Sequence, residues 1–103
     1  MKAAITLRSG DPEVIEIQDR PVPAVKSGWV LIKIRAFGLN RSELFTRQGH
    51  SPGVVFPRIQ GIECVGTVEE DLSGTYSKGQ KVAAIMGGMG REFDGGYAEY
   101  TLV

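Results

Sequence analysis

Trp29-Val30-Leu31-Ile32-Lys33-Ile34-Arg35-Ala36-Phe37-Gly38-Leu39-Asn40-Arg41-Ser42-Glu43 changes its hydrophobic period in mid-course. The first half alternates. Val30, Ile32, Ile34 and Ala36 share one face of a strand, and Lys33 and Arg35 point the other way. Gly38-Leu39 ends that strand. Asn40-Arg41-Ser42-Glu43 then has the spacing of a capping box, with Asn40 as N-cap and Glu43 at N3 reaching back to the cap's backbone N–H. A short helix near residues 41–48 follows, with Leu44, Phe45 and Gln48 on one side and Gly49 placed to terminate it.

The period-two pattern continues outward in both directions. Upstream, Ala3, Ile5 and Leu7 alternate with Ala4, Thr6 and Arg8, and Ile15 and Ile17 alternate with Glu16 and Gln18. Ser9-Gly10-Asp11-Pro12 supplies the turn between these two strands, and Pro21-Val22-Pro23, lacking two ladder donors, is an extended connection. Downstream, Cys64–Glu70, Lys81–Met86 and Tyr97–Val103 read as strands, with Gly66 signalling a bulge or a close backbone approach. Gly87 to Gly96 is glycine-rich, yet it contains neither G-x-G-x-x-G nor G-x-x-x-x-G-K-[ST] and precedes a strand. It reads as a flexible connection. Six short strands and one short helix make a mainly β chain, a barrel or sandwich.

At 103 residues the chain has room for one domain, 1–103. Twelve Lys and Arg balance twelve Asp and Glu, which argues against nucleic acid or an anionic membrane as partner. No apolar run approaches the ~20 residues of a membrane span, and the N-terminus lacks the apolar stretch of a signal peptide. With Cys64 as the single cysteine, no intrachain disulfide is possible, and the expected setting is a reducing, cytoplasmic one. The chain ends inside an alternating pattern, as expected of one that continues in the native protein.

Few residues announce chemistry by themselves. His50 is the only histidine and has no partners for a triad or a metal cluster, so it reads as a loop or helix-end residue. Cys64, between apolar neighbours, reads as a small core residue. Glu63 lies among Ile62, Cys64 and Val65, so its carboxylate is expected to be partly buried and to need a partner. Lys33, Arg35, Arg41, Arg47 and Arg58 are the candidates for an ion pair. A proton-transfer role stays open beside it.

The order of segments resembles the N-terminal catalytic domain of the medium-chain dehydrogenases/reductases. Residues 28–43 match its strand-and-helix segment, and Pro57 to Val68 looks like P-x-x-x-G-[HYN]-E-x-x-G-x-V. Lys78-Gly79-Gln80-Lys81-Val82 is similar to G-D-[RK]-V, and Gly95-Gly96-Tyr97-Ala98-Glu99-Tyr100 to G-[GA]-[YF]-A-E-Y. The resemblance implies a GroES-like, partly open β-barrel, with a Rossmann NADPH-binding domain expected downstream and absent from this chain. Zinc-dependent alcohol dehydrogenases of this superfamily place a cysteine where Asn40 stands and a histidine where Ile62 stands. Neither an amide nitrogen nor an aliphatic group replaces those ligands, so no metal is expected. The pattern looks like the zinc-free quinone oxidoreductase branch.

That branch implies hydride transfer from NADPH to a small-molecule quinone or enone, in a parent enzyme that is a homodimer. The fragment by itself is expected to be inactive. By the same resemblance Asn40 is the catalytic residue, and Asn40, Arg41, Phe45, His50, Ile62 and Glu63 line the substrate and cofactor pocket. Phe45 lacks the tyrosine hydroxyl found at its position in close relatives. Two alternatives remain: an enoyl-thioester reductase of the same superfamily, and a stand-alone β-barrel module without catalysis.

Overall fold

The computed structural model describes residues 1–103. Its strands are β1 (Lys2–Thr6), β2 (Ile15–Asp19), β3 (Val30–Phe37), β4 (Arg58–Ile59), β5 (Glu63–Asp71), β6 (Lys81–Ile85) and β7 (Tyr100–Leu102), with one α-helix, α1 (Arg41–Arg47). They form two sheets, ordered β2-β1-β4 and β6-β5-β3-β7. The sheets do not close on each other, and the fold is the partly open, mainly β, GroES-like one expected.

The C-terminal segment joins the two sheets. Ala4 N–H donates to the Tyr97 carbonyl at 2.8 Å and Glu99 N–H to the Lys2 carbonyl at 3.2 Å, which ties residues 97–99 to β1. From Tyr100 onward the same chain pairs with β3, Lys33 opposite Tyr100 and Leu31 opposite Leu102. The expected strand Tyr97–Val103 is therefore shared between two sheets, and its regular part is only Tyr100–Leu102.

Three further differences have local causes. β4 is too short, at two residues, to carry a period. Pro12–Val14 is a 3-10 turn, started by a proline whose missing N–H costs nothing in a first turn. Along β3 the alternation slips, because the pairing with β5 skips between Leu31 and Ile32 and again between Ile34 and Ala36. Ile32 is buried, whereas Ala36 and Phe37 end exposed. The second slip lies opposite Gly66, where a Cβ would overlap the Lys33 carbonyl, so the close backbone approach expected at Gly66 is present.

The core is in two parts. Ala3, Ile5 and Ile59 pack under the smaller sheet; Ile32, Cys64 and Met89 pack under the larger. Met89, at 1% exposure, comes from the glycine-rich segment. That segment is thus no flexible connection. Gly95 N–H donates to the Ile59 carbonyl at 2.7 Å, Gly96 N–H to the Gly61 carbonyl at 3.1 Å, and the ring of Phe93 meets Trp29 edge-on at 4.9 Å. A Cβ on Gly95 would overlap the Gly61 carbonyl, so glycine is what lets these two backbones touch.

Candidate active site

α1 is inside out. Leu44 and Phe45 are exposed, and so is Gln48 beyond them, while the buried residues are Glu43, Thr46 and Arg47. Polar burial is tolerated here because each group is bonded. Arg47 Nη1 donates to the Gly10 carbonyl at 2.6 Å, and Thr46 Oγ1 lies 2.7 Å from Ser51 Oγ. Gln60 Nε2 donates to the Glu43 carbonyl at 3.0 Å, while its Oε1 accepts from Thr6 Oγ1 at 2.7 Å. Apolar periodicity correctly placed Leu44 and Phe45 on one side of the helix. The side packed on the barrel is the other one.

The capping box of Asn40 and Glu43 is present. Its stronger half is Asn40 N–H donating to Glu43 Oε2 at 3.0 Å, and the side-chain oxygen of Asn40 approaches the helix only loosely. Glu43 does more than cap. Its other oxygen, Oε1, accepts the Ile62 N–H at 3.3 Å, and the half-buried Tyr97 hydroxyl feels the charge of the same carboxylate. Burial first, then the negative charge of Glu43, push the Tyr97 hydroxyl well above its ordinary range, so it stays protonated. Glu43 is 5% exposed with no cation paired to it, and the Asn40 and Ile62 N–H groups, with the Ser42 hydroxyl at 3.4 Å, stabilise it in place of a salt bridge.

Glu63, at the start of β5, does not find the cation expected for it. Arg47 is committed to Gly10 and Arg58 to Asp94, and Lys33, Arg35 and Arg41 make no ion pair. The partner of Glu63 is Asn40, whose Nδ2 donates to Oε1 at 3.2 Å. Asn40 is therefore gripped by two carboxylates, Glu43 at its backbone and Glu63 at its side chain. Glu63 also lines a groove of about 400 Å³ with Phe37, Gly38, Val65, Ala84 and Ile85. Phe37, Val65 and Ile85 are exposed there, and Leu39, beside Asn40, is 79% exposed. Apolar side chains gathered in the open, with the Glu63 carboxylate as the one charged group among them, suit a mostly apolar ligand.

Of the expected site residues, Asn40 and Ile62 come together through Glu43, and Glu63 joins them through Asn40. Arg41 is exposed in the first turn of α1, and Phe45 on its open side. His50 is an exposed residue just past the helix, its N–H on the Phe45 carbonyl at 2.9 Å, and takes no part in the hydrogen-bonded cluster. Sequence reasoning missed Glu43 as the hub, and Tyr97 and Gln60 as its neighbours. The only available signal was the capping box, which accounts for one of the two Glu43 oxygens. Cys64 is a buried core residue as expected, and burial raises its thiol pKa.

The donor set does not suit a metal. No three His, Cys, Asp or Glu side chains converge, Ile62 has no lone pair, and the Asn40 nitrogen is a hydrogen-bond donor to a carboxylate. No helix is long and apolar enough to cross a membrane.

Comparison with known proteins gives a consistent set. Residues 26–103 match the family model described as alcohol dehydrogenase GroES-like domain. A zinc-type alcohol dehydrogenase-like protein of Schizosaccharomyces pombe is 37% identical, over 100% of this chain and 32% of its own length. A quinone oxidoreductase of Sus scrofa is 35% identical, over 99% of this chain and 31% of its own length. Among solved structures, the quinone oxidoreductase from Coxiella burnetii superposes with a TM-score of 0.88 at 30% identity, covering 100% of this chain and 34% of that one. The chain thus spans about a third of the length of the curated relatives it matches.

Proposed function

The chain belongs to the alcohol dehydrogenase GroES-like domain family, and from that premise we propose that it is the N-terminal catalytic domain of a zinc-independent, NADPH-dependent quinone oxidoreductase. A Rossmann domain downstream would hold the pyrophosphate, since this chain lacks the G-x-G-x-x-G turn that does so. When bound, NADPH supplies the hydride, delivered to a quinone or an electron-poor enone. A balanced charge and a single buried thiol are in keeping with a cytoplasmic setting. The parent is proposed to be a homodimer, on the resemblance alone.

The observation that carries this reading is the state of Asn40. Where a zinc enzyme of the superfamily would have a thiolate, this chain has an amide whose Nδ2 gives one N–H to Glu63 and retains a second. Reduction of a carbonyl builds negative charge on its oxygen. Without a Lewis acid, that charge needs an N–H or O–H donor held in place beforehand. Asn40 supplies one, on a surface whose exposed Leu39, Leu44 and Phe45 would flank a planar ring. Phe45 brings apolar area and no proton. Arg41, exposed in the same turn, would sit toward the anionic part of the cofactor.

The test is Asn40→Asp in the full-length enzyme. Asp caps a helix about as well as Asn. It loses the Glu63 hydrogen bond, however, and sets two carboxylates side by side, so the melting temperature should fall somewhat while the enzyme stays folded. The substitution replaces the donor by an acceptor beside Glu63, and turnover with quinones should fall on the order of 100-fold. Unchanged turnover in a well-folded Asn40→Asp enzyme would reduce Asn40 to a cap. Rapid turnover of enoyl thioesters with slow turnover of quinones would instead favour the enoyl-thioester reductase reading.

A further inference from the structure

An asparagine amide can turn over by a half rotation, exchanging a donor for an acceptor at nearly the same positions. A catalytic amide therefore needs something that distinguishes its two ends. In this molecule the discriminating group is Glu63. An ionised carboxylate only accepts, so Oε1 of Glu63, 3.2 Å away, keeps Nδ2 of Asn40 on the β5 side and its oxygen on the α1 side. The other anchor is the backbone of the same residue, held by Glu43 Oε2 at 3.0 Å. With both bonds made, the second N–H of Nδ2 has one direction.

Gly38 makes this geometry possible. A Cβ at that position would overlap Oε1 of Glu63 and come within 2.9 Å of its Cδ, so the carboxylate occupies the volume that glycine leaves empty. Gly38 is not in the left-handed region of backbone space, and any L-residue could adopt its conformation. Its glycine is thus accounted for by the side chain above it, and by no turn of its own. No cation competes for Glu63.

We propose that Glu63, seated over Gly38, is a positioning residue that fixes the Asn40 amide with its second N–H available to the substrate oxygen. The proposal rests on the catalytic reading of Asn40 given above. It makes a particular claim about Gly38: a methyl group there should act as though Glu63 had been removed, although neither Glu63 nor Asn40 is altered.

The side-chain NH2 resonances of Asn40, followed by NMR in the 103-residue chain, report the positioning directly. In the parent sequence the two protons should be well separated and slow to exchange. Glu63→Ala and Gly38→Ala should both bring them toward the shifts and exchange rate of a free amide, and Glu63→Gln, which can still accept through its oxygen, should recover most of the separation. In the full-length enzyme Glu63→Ala and Gly38→Ala should lower kcat on the order of 10-fold or more with little change in KM. Asn40 signals unaffected by Glu63→Ala overturn the proposal. So does a Gly38→Ala enzyme of normal kcat beside a slow Glu63→Ala, because Glu63 would then act by another route. Failure of the underlying reading shows elsewhere, as undiminished turnover in full-length Asn40→Ala, whatever the amide signals do.

Discussion

The helix of residues 41–47 and the glycine-rich segment of residues 87–96 exchange the roles their sequences suggest. The helix opens on a capping box, a plain structural signal, and yet it buries Glu43, Thr46 and Arg47 and leaves Leu44 and Phe45 in the open. The glycine-rich segment looks like a ligand loop, and yet it carries Met89 into the core and presses its backbone against Gly61. Glycine content reports close approach, which another backbone satisfies as well as a phosphate does. An amphipathic stripe reports that apolar groups share a side, and that side faces the core only where the core offers apolar partners. Here the barrel offers α1 the side chain of Gln60 and the carbonyl of Gly10.

Four substitutions bear on that contrast, beginning with the largest effect. Met89→Ala should cost about 3 kcal/mol in urea unfolding, as a truncation of a fully buried side chain does. A loss below about 0.5 kcal/mol would mean that the segment is an ordinary surface loop after all. Glu43→Gln should cost about 2 kcal/mol, because its NH2 must face one of the two backbone N–H donors, that of Asn40 or that of Ile62, whichever way the amide is turned. Its unfolding midpoint should fall without a change in slope.

Tyr97→Phe should cost about 1 kcal/mol near neutral pH and should also change the alkaline limb. The folded-state pKa of Tyr97 lies above its unfolded value, so its contribution is complete below about pH 10. As pH rises past that point the unfolded chain sheds the proton first, and stability falls toward the folded value. Phenylalanine removes this component, so the difference between parent and variant should shrink between about pH 10 and 11. A difference that stays constant over that interval would remove Tyr97 from the Glu43 network. Smallest of all, Leu44→Ser should shift stability by less than about 0.5 kcal/mol, since its side chain is already exposed. A large loss there would restore the ordinary orientation of the helix.

Much of the fold was legible because it rests on period two and on local turn chemistry. β5 was expected over Cys64–Glu70 and spans Glu63–Asp71, and α1 begins directly after the expected cap. Tyr97–Val103 read as one strand because alternation records side-chain faces and is silent about which neighbour supplies the hydrogen bonds. The site was legible in its members and illegible in its bonds. Glu63 was expected to need a partner, and five basic residues in the sequence looked suitable. The actual partner is the neutral Asn40, reached over a glycine whose missing Cβ matters only once β3 and β5 lie side by side. A coincidence between the Gly38–Asn40 connection and the start of β5 leaves no period in a sequence.

The seam between the sheets has a consequence for how the domain is made. Within this segment β1 leaves the ribosome before every other strand, but one of its neighbours is residues 97–99, and the Lys2 N–H to Glu99 contact spans 97 positions. Local hairpins can form early. The stitch between the sheets cannot, because its two halves are synthesised at opposite ends of the segment. Closing so long a loop places the last step of assembly on the slow side of the range for domains of this size. Until then the Lys2–Ala4 part of β1, beyond its short pairing with β4, keeps one side open to other nascent chains, and chaperone demand should peak just before residue 100 emerges.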